Sequence, residues 1–165
     1  MAIENSTLQM AGVKPASKLA EVIEGRADIL ALTQATHDAV LKPRLAGGIT
    51  HAERAALACR MARLNGEQHL AAHYEKLILP VGDDVVSGRI ADPAFNGDGN
   101  QRLTALIRHV DLVTQRPKDA SRDNIDALRQ AGIAEADIVR LAELIAFINY
   151  QIRVVAGLRL LGEIA

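Results

Sequence analysis

The chain has 165 residues, 19 basic and 20 acidic side chains, a formal net charge of −1 and an apolar share of 49%. That is one domain's worth of chain, and by surface scaling it buries roughly 70% of its unfolded surface, enough for a core without metal or disulfide staples. Ala occurs 28 times and Leu 20 times, whereas Trp is absent and Tyr and Phe occur twice each, so the expected fold class is all-α; too few aromatics remain for a β-sandwich or a base-stacking platform. The single cysteine, Cys59, excludes an internal disulfide and any CxxC pair within the chain. Balanced charge leaves no basic footprint for nucleic acid.

Helical periodicity begins at residues 17–25, with Ser17 as N-cap and Gly25 at the stop. A second helix is expected over 28–41, with Ile29, Leu32, Ala35, Ala39 and Val40 at helical spacing and Pro43 closing it. After the Gly47-Gly48 break, Thr50-His51-Ala52-Glu53 matches the S/T-x-x-E capping box. The helix it opens runs to Asn65-Gly66, and another covers 67–79 before Pro80. Residues 82–100 hold four glycines, four aspartates and Pro93, which suggests a mobile surface connector between two halves of one domain spanning 1–165. Helices then return at 101–114, at 121–130 with Ser121 as N-cap and Gly132 suited to a left-handed cap, and at 135–161. No strand is expected.

The N-terminal run MAIENSTLQMAG lacks the basic and apolar regions of a secretory signal. The apolar stretch 141–161 is interrupted by Glu143, Asn149, Gln151, Arg153 and Arg159, as in a buried helix rather than a membrane span. A cytoplasmic protein with no membrane partner is the expectation.

Sliding the chain by 84 residues lays 48–77 over 132–161 without a gap, and 9 of 30 positions are identical, including Gly48/Gly132, Ile49/Ile133 and Asn65/Asn149. About 2–3 matches would arise by chance in so Ala/Leu-rich a chain, so an internal duplication is the reading. These residues carry a resemblance. The run from Thr50 to Tyr74, with its acidic helix start at Glu53, Asn65-Gly66 and the tail Leu70-Ala71-Ala72-His73-Tyr74, resembles the AhpD-like, or carboxymuconolactone decarboxylase-like, superfamily in its peroxidase-related branch. The closing FINYQIRVVAGLRL, from Phe147, resembles that branch's final segment.

The resemblance implies an all-α AhpD-like bundle, oligomeric assembly and peroxide reduction by a CxxC thiol pair served by a Glu–His relay. Residue by residue, the chain departs from that apparatus. The two cysteine positions are Glu67 and Leu70, the relay histidine position is Tyr74, and the relay glutamate position is Ala55. The second copy has Gln151 and Val154 at the cysteine positions. The expectation is therefore a catalytically degenerate protein, a structural or regulatory partner of an antioxidant, alkylhydroperoxidase-type system, with copies of itself and a cysteine-containing AhpD-like homologue as partners. The alternatives are a small-molecule enzyme of the carboxymuconolactone decarboxylase type, and a peroxiredoxin-like peroxidase using Cys59 atypically. Candidate pocket residues are Glu53, His69, His73 and Tyr74; no cofactor and no metal is assigned, since HLAAH is not the HExxH zinc motif. Glu53 reads first as a capping residue, Cys59 as a buried core thiol, and Arg153 and Arg159 as anchors of ion pairs on an apolar helix.

Overall fold

The computed structural model describes residues 5–78 and 85–164, and every regular element among them is helical. The helices are α1 (Ser6–Met10), α2 (Lys18–Glu24), α3 (Ala27–Leu41), α4 (His51–Leu64), α5 (Gln68–Ile78), α6 (Val85–Ile90), α7 (Gln101–Gln115), α8 (Arg122–Gln130) and α9 (Glu135–Ile164), with one 3-10 turn at Pro117–Asp119. The all-α expectation holds. Two short helices escape sequence periodicity. α1 is capped by Asn5, whose side chain accepts from the Thr7 and Leu8 amides, and α6 lies inside the expected connector. Pro80 and the connector's residues 82–84 lie outside the described residues.

The caps follow local chemistry. Thr50 Oγ1 accepts from the Glu53 amide while Glu53 Oε2 accepts from the Thr50 amide, closing the box that starts α4. At the other end Gly66 takes φ +74°, and the Gly66 and Glu67 amides bond to the Arg63 and Ala62 carbonyls. That is a Schellman turn, which needs a residue tolerant of the left-handed region. The same pattern at Gly132, φ +81°, ends α8. α4 and α9 begin 84 residues apart, at His51 and Glu135. Beyond the shared asparagine they diverge: Asn65 ends α4, whereas α9 continues through Asn149 to Ile164.

α4 sits at the centre, touching α3, α5, α6, α7 and α9, with every residue from Ala52 to Met61 and also Ala62 buried. Its alanines let neighbours approach closely. Its two arginines, Arg54 and Arg60, are also buried and hold irregular chain. Arg54 donates to the carbonyls of Val40, Ala46 and Ile49. Arg60 forks onto Asp111 at 2.6 and 2.7 Å and donates to the carbonyls of Ile90, Asp92, Pro93 and Phe95. The described part of the expected connector is thus a short helix followed by turns gathered on one guanidinium.

α3 corrects the sequence reading. It buries Leu30, Thr33, His37, Val40 and Leu41, while Ile29 and Leu32 stand 38% and 64% exposed. Of the five positions that apolar spacing marked, Val40 alone lies inward, because the buried stripe carries two polar residues that bond inside the fold. α9 buries residues from Asp137 to Val155 on its inner side and leaves Leu160, Leu161 and Ile164 exposed. Among the described residues it is the one helix long and apolar enough to cross a membrane; 39% of its most apolar window is buried in the protein, and a soluble protein's core helix passes the same test.

Replacing Arg60 with methionine removes its partner from Asp111 and strands four carbonyls. The expected loss is roughly 3–5 kcal/mol of unfolding free energy in urea denaturation, with faster amide exchange concentrated at residues 90–95. A loss near zero would show that the guanidinium contributes no more than an apolar side chain.

Candidate functional site

α3, α5 and α9 converge on a cluster of rings. The Schellman turn at Gly66 reverses the chain so that α5 lies along α4 and turns Leu70, Ala71, Tyr74 and Ile78 inward. Tyr74 is fully buried, and its hydroxyl donates to Gln151 Oε1; Gln151 Nε2 donates in turn to Thr7 Oγ1 at 2.9 Å. This chain links α5, α9 and α1 through groups that each find a partner. Burial pushes the Tyr74 phenol well above its ordinary range, so it stays protonated.

His73, beside it, is half-buried and reaches His37 of α3, with the two Nε2 atoms 3.4 Å apart. His37 Nδ1 lies 2.9 Å from Asp38 Oδ1. The His37 ring also packs near Tyr74 and meets Phe147 edge-on, with centroids 6.2 and 6.1 Å away. Burial, then the His37 ring and the Lys76 and Lys42 ammoniums, lower the His73 pKa from 6.5 to about 4. The ring is neutral at pH 7.

The four candidates do not form one constellation. His73 and Tyr74 share this junction. Glu53 binds Arg102 at 2.6 Å in addition to its capping contact, and no contact ties it to His73. His69 is exposed on α5 and joins neither. The partner of His73 is His37, which the apolar stripe 29/32/35/39 concealed. The spacing Leu30, Thr33, His37, Leu41 is equally helical and could have revealed it.

Cys59 is fully buried, its thiol donates to the Ala71 carbonyl at 3.4 Å, and burial pushes its pKa up to about 11. The positions at which the resemblance places reactive groups hold packing contacts. Glu67 pairs with Arg159 at 2.6 Å, Leu70 and Ala55 are buried, and Tyr74 and Gln151 bond to each other. The anchoring expected of Arg159 is intrachain; Arg153 instead donates to the Asn149 carbonyl on the surface.

Two clefts open on the surface. One of about 690 Å³ runs between α3 and α9, lined by Ile29, Leu32, Ala39, Ala146, Phe147 and Tyr150 among others. Thr33 and Tyr150 hydroxyls lie 3.2 Å apart across its floor. The other, about 750 Å³, lies between α7 and α8 beside Thr104, Arg108, His109 and Asn124. His73 lines neither. Among the described residues no three His, Cys, Asp or Glu side chains converge as a metal-binding group. No protein-family model and no curated protein matches the chain.

Two measurements check this site. A thiol reagent such as Ellman's is expected to leave native Cys59 unlabelled and to titrate it in denaturant; rapid native labelling would contradict its burial. Because the folded His73 ring binds its proton less tightly than the unfolded one, the unfolded state holds the extra proton between pH 6.5 and about 4. Stability therefore falls as pH drops through that window. Urea midpoints measured from pH 7 to 4 should decline more steeply in the wild type than in His73→Gln.

Proposed function

We propose that this chain is an AhpD-like protein without the family's dithiol chemistry, acting as a structural or regulatory partner in an alkylhydroperoxidase-type antioxidant system. The observation that carries the reading is the fate of the reactive positions. Glu67 is held by Arg159, Leu70 is core, and Tyr74 is closed onto Gln151. A carboxylate in an ion pair and a buried leucine cannot attack a peroxide oxygen or resolve a sulfenic acid. Cys59, protonated and enclosed, offers no thiolate in their place. The matching starts of α4 and α9, and the back-bonding of Asn65 and Asn149 to the Met61 and Ile145 carbonyls, support an internal duplication that diverged after the asparagine.

Assembly with a second copy fits the exposed apolar groove between α3 and α9. Leu32, projecting from its wall, and the small residues Ala35, Ala39 and Ala146 lining it supply both a knob and a socket, as a self-complementary two-fold contact requires. A cytoplasmic protein free of nucleic-acid and membrane partners accords with the charge balance. A second reading, a small-molecule enzyme of the carboxymuconolactone decarboxylase type, is favoured by the His37–His73 pair, a part-buried polar contact that packing alone does not require.

Light scattering and peroxide turnover separate these readings. The expected result is an oligomer that Leu32→Glu dissociates, with peroxide consumption at the buffer rate in both wild type and Cys59→Ser. A monomeric wild type that also forms no complex with a purified cysteine-containing AhpD-like homologue would remove the partner reading. Peroxide turnover lost in Cys59→Ser would restore the peroxidase.

A further inference from the structure

α9 carries a largely exposed stripe whose two charged residues have no counterpart in their own chain. Projected at ~100° per residue, Val139, Glu143, Ala146, Tyr150, Arg153 and Gly157 fall within about 40° of one line along the helix. Val139 and Tyr150 stand 58% and 43% exposed, and more than half of the helix's most apolar window is left uncovered by the rest of the fold. Glu143 and Arg153 are exposed as well. Among the described residues Glu143 makes no hydrogen bond or ion pair, and Arg153 bonds only to the Asn149 carbonyl of its own helix.

The order of these residues is its own complement. Glu143 and Arg153 lie five residues before and after Ile148, Ala146 and Tyr150 two before and after, and Val139 and Gly157 nine before and after. An antiparallel copy of the helix, related by a two-fold axis at the level of Ile148, therefore faces each member of a pair with the other. The carboxylate meets a guanidinium, the large Tyr150 meets Ala146, and Val139 meets Gly157, over which the space is open. A parallel arrangement would instead set Glu143 against Glu143.

α3 gives the same level independently. It runs antiparallel to α9 along their groove: the Thr33 and Tyr150 hydroxyls are 3.2 Å apart, and the His37 ring meets Phe147 with centroids 6.1 Å apart. Those two contacts bracket Ile148 on α9 and Ala35 on α3. A two-fold axis there sets α3 antiparallel to α3 of the other copy. Leu32, 64% exposed, and Ala39 both line the groove and straddle that level, so each falls opposite the other across the axis.

We infer that two copies of this chain dock α9 against α9 about a two-fold axis at Ile148, with Glu143 of each copy paired to Arg153 of the other and α3 against α3 beside them. This docking rests on the self-assembly reading of the previous subsection and adds its register. A lipid surface does not suit the stripe, because two unpaired charges would have to enter hydrocarbon with it.

Sedimentation equilibrium of the full chain tests the register by charge reversal. The wild type is expected to be a dimer. Glu143→Arg and Arg153→Glu each turn both intersubunit attractions into repulsions and should weaken dimerisation about tenfold. The doubly reversed chain should return to within about threefold of the wild-type constant, as a coupled pair requires. The two single variants mixed together should form a heterodimer tighter than either homodimer. Both positions are exposed, so circular dichroism should show every variant folded. A dimer that Leu32→Glu dissociates but neither single reversal weakens would overturn the register and leave self-assembly standing. Single reversals that weaken the dimer without recovery in the double variant would overturn the reciprocal pairing. A wild type that stays monomeric at its highest soluble concentration would overturn both the docking and the self-assembly beneath it. If the same reversals broke its complex with a cysteine-containing homologue, the stripe would belong to that partner instead.

Discussion

A helix with no outward face sets the terms for the rest of this molecule. α4 is enclosed by five other helices, so its alanines must be small and its two arginines must be satisfied inside the protein. Each guanidinium presents five N–H donors that cost several kcal/mol to bury unpaired. The acceptors come from carbonyls of irregular chain, which face the complementary need. Arg54 thereby secures the segment leading into α4, and Arg60, charge-balanced by Asp111, gathers the turns after α6. The core helix thus adds its own donors to the turn hydrogen bonds these loops make among themselves.

α9 is the second organising element, and polar contacts place it along its length. Near its start Asp137 accepts from the Gly48 amide, and side chains at Gly47 or Gly48 would collide with that carboxylate. Midway, Asn149 donates to its own helix at Ile145 and to Thr114 of α7. Two residues on, Gln151 joins Tyr74 to Thr7, and Arg159 closes the far end onto Glu67 and the Met10 carbonyl. Buried partners matched this specifically resist a rotation of the helix, because any slip leaves several of them unpaired. The residues that would carry thiol chemistry in the resembling family are occupied in holding this helix down.

The junction of α3, α5 and α9 sits beside this frame and differs from it. Tyr74 and Gln151 are closed and bonded to each other, whereas His73 is half-buried and reaches His37. A polar pair at the edge of a core contributes little that an apolar pair would not supply. The neighbouring groove between α3 and α9 leaves Ile29 and Leu32 exposed.

The caps at Ser17 and Thr50 and the stops at Gly66 and Gly132 were legible in the chain, because helix starts and stops depend on residues within a turn or two of each other. The bland readings of Glu53 as a cap and Cys59 as a core thiol were legible for the same reason. The buried face of α3 was not: Ile29 and Leu32 point outward, and the inward stripe of Leu30, Val40 and Leu41 also includes Thr33 and His37. Nor did spacing reveal that Arg54 and Arg60 are interior, or that His37 meets His73 across 36 residues and Tyr74 meets Gln151 across 77. Composition and periodicity by themselves determined an all-helical chain and where most of its helices begin and end. Which faces are buried, and which polar groups become partners, was decided only when α4 was enclosed, since those contacts join residues whose separation along the chain carries no local signal.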